Sequence, residues 1–515
     1  MNLWKKPKIA KNLKVILTKL RIFFPHEKSS CMDLIFALVT NYATKAKTAV
    51  ELSLSKFFKR QYSSLFRAVS GYFTSRKNQT NRDKLRSDAR NNIKSFLLES
   101  ALEGEKRIHS FAIDITCNIK KHSVKAADRS CIYSGSIGGM SIGHNYSVIC
   151  KNEGGGWMLP VAIDRIPYGE NKYEFSVSQV EFILDKIPPT DTSFLTGDSA
   201  YSCNKFIHKL SKRENVAIIA RMRANKAIYE KYDDKKEGSG RKRKYGKKSS
   251  LNKPESLPKP NQIDEFDEVT NKGDIQRVKL SFFEGYICRG SKDYKMSEIE
   301  INFVRVEIFK ETGERKYDRD LWIGVSGKAR GKVTMKAAYY EYKDRFDIEH
   351  YFKFSKSKLL MDKFQSSDPK KDEDFMLFGA ISYHVLCKAA DLLDDIQVRP
   401  WENKKKMNVK SLSNIFRAAS ISGVFDEVYQ SDIKRRGIPD ERNVRKSFES
   451  KANQPIMKKA RDPTKLEIEI KSRFGKSHNI SKTSLNTEQE SRKNFAAKIL
   501  EKATEIYDKI NPVAE

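Results

Sequence analysis

Cysteine is scarce and scattered in this chain. Seven residues in 515 (Cys31, Cys117, Cys131, Cys150, Cys203, Cys288 and Cys387) include no C-x-x-C pair. That excludes a disulfide framework and a thiolate zinc site, and reads as reduced thiols inside a cell. Long apolar runs are also missing, so no membrane partner is expected. The first residues, MNLWKKPKIAKNLKVILTKLRIFF, are basic and amphipathic but lack the apolar region and small-residue cleavage site of a signal peptide, and a cytoplasmic location is expected. Internal repeats are absent. Negative charge is in deficit, with 66 Asp plus Glu against 99 Lys plus Arg and a net charge of +33. Such an imbalance points to a polyanionic partner, nucleic acid before membrane.

Five regions follow from composition and period. Residues 1–100 read as helical and basic, with 21 Lys/Arg against 6 Asp/Glu. Within them Ala49–Phe73 suits two short helices meeting near Gln61–Ser63, the outline of a helix-turn-helix DNA reader. Arg76–Arg90 reads as a polar linker or an exposed helix. At residues 101–224 the period changes. IHSFAIDIT alternates as a strand, placing Asp114 among apolar neighbours, where a carboxylate is costly unless paired or bound to a metal. Residues 118–143 read as loop, and Asn145–Lys151 with Trp157–Ile166 as a β-hairpin. Lys172–Ile187 reads as a helix. The strand Thr192–Thr196 runs into Asp198, then come the helix Asn204–Ser211 and the strand Asn215–Arg221. Taken alone, Asp198 reads equally well as a turn residue or helix cap.

This order is that of a ribonuclease H-like α/β fold, a mixed sheet flanked by helices. Residues 225–318 read as a β-rich insertion, with strands at Gln276–Phe283 and Glu298–Phe309. It opens with a basic, disordered-looking run over Lys235–Pro260 that holds Arg241, Lys242, Arg243 and Lys244, suited to phosphate or to solvent. Residues 319–396 return to the core through the strand Asp320–Val325 and end in the apolar helix Asp374–Leu393. His384 and Cys387 of that helix read as core. Residues 397–515 read as a helical, basic region for DNA binding or oligomerisation.

Ala338–Leu360 is the stretch that organises the rest. It has no Pro or Gly, and Tyr342, Arg345, Glu349 and Lys356 fall at intervals of three, four and seven residues. On one helix these lie within an arc of roughly 60°, beside an apolar strip of Ile348, Phe352 and Leu359. Tyr-x2-Arg-x3-Glu-x6-Lys resembles the signature of bacterial insertion-sequence transposases with an Asp-Asp-Glu (DDE) active site. Asp114-x-Thr116 and Asp198-x-Ala200-Tyr201 resemble the boxes around their first two acids.

The resemblance implies a DNA transposase that binds terminal inverted repeats and carries out metal-dependent cleavage and strand transfer by a cut-and-paste route. Asp114, Asp198 and Glu349 would be the catalytic and metal-binding residues. Three carboxylates gathered together repel one another unless divalent cations sit between them, and hard oxygen donors suit two Mg²⁺ ions, with Mn²⁺ as a substitute. No organic cofactor is expected. Arg345, Lys356 and Tyr342 would contact DNA, Arg345 bidentately. Trp322 and Tyr201 are candidates to hold a flipped base. Partners would be transposon ends, target DNA and a second or further protomer in a synaptic complex, at the nucleoid of a prokaryote. The alternatives are a domesticated or inactive transposase-derived DNA-binding protein, or another ribonuclease H-like nuclease.

Overall fold

The structure, a computed structural model, describes residues 18–24, 28–41, 46–53, 58, 60, 62–71 and 81–391, apart from 105–106, 121–125, 136, 155, 233–243, 271–272 and 365. The expected C-terminal helices beyond residue 391 lie outside the described residues, as do Arg241, Lys242 and Arg243 of the basic run.

Chain order places helices α1 (Lys28–Val39), α2 (Ala49–Leu52), α3 (Tyr62–Gly71) and α4 (Arg82–Ala101) ahead of the first strands. Then come β1 (Ile108–Ile119), β2 (Ser130–Ser134), β3 (Gly139–Gly154), β4 (Trp157–Ile166), α5 (Lys172–Leu184), β5 (Thr192–Gly197), α6 (Asn204–Leu210) and β6 (Val216–Arg221). Strands β1, β5 and β6 run parallel, β3 lies antiparallel against β1, and β4 lies antiparallel against β3. Two antiparallel hairpin strands leading off a three-stranded parallel half make a ribonuclease H-like sheet. Strand β5 is buried along its whole length, as its apolar run TSFLTG requires of a strand covered on both faces.

The insertion is β-rich as expected, with β7 (Ala227–Lys231), β8 (Tyr245–Ser250), β9 (Gln262–Val269), β10 (Ile275–Cys288) and β11 (Glu300–Lys310). It does not form a separate sheet. Strand β12 (Leu321–Ser326) pairs with β11 on one side and β6 on the other, so twelve strands make one continuous sheet. The run expected to be disordered is partly strand: β8 and β9 lie within or just beyond Lys235–Pro260. Residues 118–143 are likewise not all loop, because β2 pairs with the start of β3 through Ser130–Gly143 and Ser134–Gly139. Ser and Gly masked that strand, whose stability comes from its neighbour.

The N-terminal helices join the body of the protein. Phe24, Leu34, Leu38, Leu65 and Val69 are buried in the same apolar core as Ile113 of β1 and Phe378 of α9 (Pro369–Asp391). One further expectation is corrected: the Glu349 helix is not continuous, and α7 (Met335–Asp344) and α8 (Asp347–Lys358) meet at Arg345–Phe346. There the backbone tightens, Phe346 N–H bonding Lys343 O at 3.2 Å and Glu349 N–H bonding Phe346 O at 3.0 Å. No Pro or Gly causes this. Helix α7 buries Ala338, Tyr339 and Tyr342 in the core over β6, β11 and β12, whereas α8 buries Ile348, Tyr351 and Phe354 in the core over β1 and α9. One straight helix would not reach both.

Candidate active site

Two acids meet because of strand register. Ile113 of β1 lies opposite Gly197 of β5 in the parallel pairing, so the next residues, Asp114 and Asp198, stand side by side at neighbouring strand positions. Gly197 in turn pairs with Ala220, which sets Arg221 at the corresponding position of β6. Asp198 also caps its own turn, its Oδ1 accepting from Ala200 N–H at 2.9 Å. Gly197 is needed at this spot, because a Cβ there would meet the Tyr201 Cβ at 2.8 Å.

Glu349, in the first turn of α8, supplies the third acid. Arg345 stands between it and β1: one guanidinium nitrogen is 3.6 Å from Asp114 Oδ2, and the other is 3.9 Å from Glu349 Oε1. The guanidinium carbon lies 5.5 Å from the Tyr342 ring centre and 4.7 Å from that of Phe346. Burial pushes the Asp114 carboxyl up to about 6, with the negative charges of Asp198 and Glu349 adding to the effect and Arg345 opposing it. Asp198 and Glu349 are therefore each within electrostatic reach of Asp114. The three acids are gathered but not closed, since among the described residues no three carboxylate, imidazole or thiol groups could hold a metal ion. The donor set itself, hard oxygens carrying mutual repulsion that a cation would relieve, fits a divalent ion of the magnesium kind.

Two lysines fasten β1 to the segment that follows Glu349. Lys356 donates from Nζ to Cys117 O at 3.0 Å. Lys120 Nζ donates to Phe364 O at 2.5 Å and pairs with Asp372 at 2.8 Å. Lys356 thus spends one donor on the strand that carries Asp114.

The remaining expected contacts divide. Tyr342 is 4% exposed and lines a cleft of about 720 Å³, together with Arg221, Tyr317, Arg319, Tyr339 and Phe346, while none of the three acids lines it. Lys244 is exposed, on the approach to β8. Tyr201 and Trp322 are corrections, being 1% and 2% exposed and packed respectively against Phe206 and Phe283. Neither ring has a free face for a base. Each sits where its strand or turn delivers a side chain to a core, which short-range sequence does not reveal. Sequence reasoning missed Arg221 and the cleft; the only signal was Arg221's place as the last residue of a buried strand next to that of Asp198.

Residues 176–384 match the family model described as Transposase DDE domain, a span that takes in Asp198, Arg345 and Glu349 and stops short of Asp114. No curated protein matches the sequence. Among solved structures the chain is similar to a piggyBac transposase seen by cryo-electron microscopy in a synaptic complex with hairpin DNA, at 10% identity and a TM-score of 0.39, covering 87% of this chain and 80% of that one. Over the segment that carries two of its three gathered acids, the chain is thus similar in sequence to the DDE domain of transposases.

Proposed function

We propose that this protein is a DDE transposase that binds the inverted repeats at its element's ends, cuts there and joins the ends to target DNA by a cut-and-paste route. The observation that carries the reading is the register of β1 on β5, which seats Asp114 beside Asp198, with Glu349 near enough for its charge to act on Asp114. The net charge of +33 supports a DNA substrate.

Asp114, Asp198 and Glu349 are the residues that would hold two Mg²⁺ ions. Bound there, such ions supply activation of a water or 3′-hydroxyl and stabilisation of the leaving 3′ oxygen. The chain's own residues orient the DNA. Arg345 offers a planar fork to a phosphate from the turn between α7 and α8, Lys356 adds positive charge from α8, and Tyr342 stands at the cleft wall. Lys244 and the neighbouring Arg241, Lys242 and Arg243 add a basic run for backbone phosphates. The active form would be a dimer or larger assembly on paired ends, in the cytoplasm.

A cleavage assay on DNA flanking the gene, with Mg²⁺, tests this. Asp114→Ala, Asp198→Ala and Glu349→Ala should each bind that DNA and lose cutting by about a thousandfold or more. Retained cutting by any of them would remove that residue from the site. Binding without cutting by the unaltered protein would favour a DNA-binding descendant of a transposase.

A further inference from the structure

Arg345 is placed unlike an ordinary ion-pair partner. It is 4% exposed, yet its Nε and Nη1 have no hydrogen-bond partner among the described residues. Its distances to Asp114 and Glu349, 3.6 and 3.9 Å, are too long for direct hydrogen bonds. No direct hydrogen bond to either acid holds it there, and buried donors left unmade are costly. Its backbone lies in the tightened turn between α7 and α8, where helices anchored in two different cores meet. The aromatic rings of Tyr342 and Phe346 flank its guanidinium.

We propose that Arg345 serves as the acid site's own counter-ion when DNA is absent, and that a DNA phosphate competes for it, so that DNA and divalent cation bind with positive coupling. The inference rests on the reading above, that the acids take divalent ions. A fixed positive charge between Asp114 and Glu349 opposes entry of a cation into the same space. A phosphate offers what those acids do not give in this geometry: two acceptors close enough to bond one edge of the fork directly, which would include one of the unpartnered nitrogens. Once the guanidinium turns to the phosphate, the acids are left with repulsion that only a cation relieves. By linkage, whatever DNA adds to cation affinity, the cation adds to DNA affinity. Uncontrolled hydrolysis is thereby held back, because the ions are held weakly until the substrate is seated.

The test is Mn²⁺ titration of the full-length protein, followed by electron paramagnetic resonance of free Mn²⁺. It is run alone and with a pre-cut duplex taken from the DNA flanking the gene. In the unaltered protein, DNA should tighten Mn²⁺ binding about tenfold. Arg345→Gln should bind Mn²⁺ about tenfold more tightly without DNA and gain less than about twofold from it. Arg345→Lys keeps the charge and loses the fork, so it should keep the weak DNA-free affinity and lose most of the gain. The proposal is overturned if Arg345→Gln binds Mn²⁺ no more tightly than the unaltered protein, or if DNA tightens binding equally in all three. If Mn²⁺ binding is absent throughout, or indifferent to Asp114→Asn, the acid-site reading itself falls and takes this one with it.

Discussion

Ile113 and Gly197 face each other across two parallel strands, and the residue after each is an acid. That one pairing carries Asp114 and Asp198 to the same level of the sheet. It holds only while the backbone after Gly197 turns over the Tyr201 side chain.

Replacing Gly197 by alanine should therefore damage the site before it damages the fold. The new methyl would need the space of the Tyr201 Cβ, 2.8 Å away, and Tyr201 is too buried to retreat. A loss of about 1–3 kcal/mol is expected. In the cleavage assay the folded variant should be at least about tenfold slower, the turn that aims Asp198 having shifted. Unchanged cleavage would show that the turn has slack.

Asp114→Asn should stabilise the metal-free protein. The acid's ordinary value is 3.8 and the fold raises it to about 6. The folded state therefore binds the proton more tightly than the unfolded chain, and stability falls as pH rises from about 4 to about 6. Above that window an ionised Asp114 costs about 3 kcal/mol. In the presence of a chelator at pH 8, Asp114→Asn should melt higher than the unaltered protein; at pH 4 the two should coincide. A saturating divalent ion should reverse the order at pH 8.

The opposite sign is expected at Asp164 of β4, which Lys94 and Arg90 hold down at about 2, with Gln179 donating to it at 2.8 Å. Its stabilisation, about 2 kcal/mol, is fully present above its ordinary 3.8 and is lost as pH falls toward 2. Asp164→Asn should lower the urea midpoint at pH 7, and the gap should narrow steadily between pH 5 and pH 3. A gap independent of pH would mean that packing, not charge, ties α4 to β4.

Trp322 offers a clean separation of core from DNA contact. With 2% exposure and Phe283 against it, Trp322→Ala should cost about 3–5 kcal/mol and lower the melting temperature. The fraction that stays folded should bind DNA with unchanged affinity. Lost affinity at an unchanged melting temperature would instead make the indole a DNA contact.

What could be read from the sequence depended on the range of the cause. Strand β1, the β3–β4 hairpin, α5, β5 and β6 were legible because alternation, turn residues and a side-chain cap mark them locally; Asn171, for instance, accepts from Tyr173 and Glu174 N–H at the start of α5. The spacing of Tyr342, Arg345, Glu349 and Lys356 was visible in the sequence as a pattern. The break at Arg345–Phe346 was not, because two cores impose it and no residue announces it. Tyr201 and Trp322 look like available aromatics until the sheet is assembled around them. Arg221 gained its place beside Asp198 only from the pairing of Gly197 with Ala220.

The position of β12 has a consequence for anyone wishing to shorten the protein. Leu321–Val325 is hydrogen-bonded through Asn302–Val306 to the insertion, and Ile323–Ser326 to β6 of the parallel half of the sheet. Excising 225–318 would bare a row of backbone amides and carbonyls along an apolar strand, an invitation to stick to another copy. Strand β11 is the seam, and a shorter protein would have to keep it.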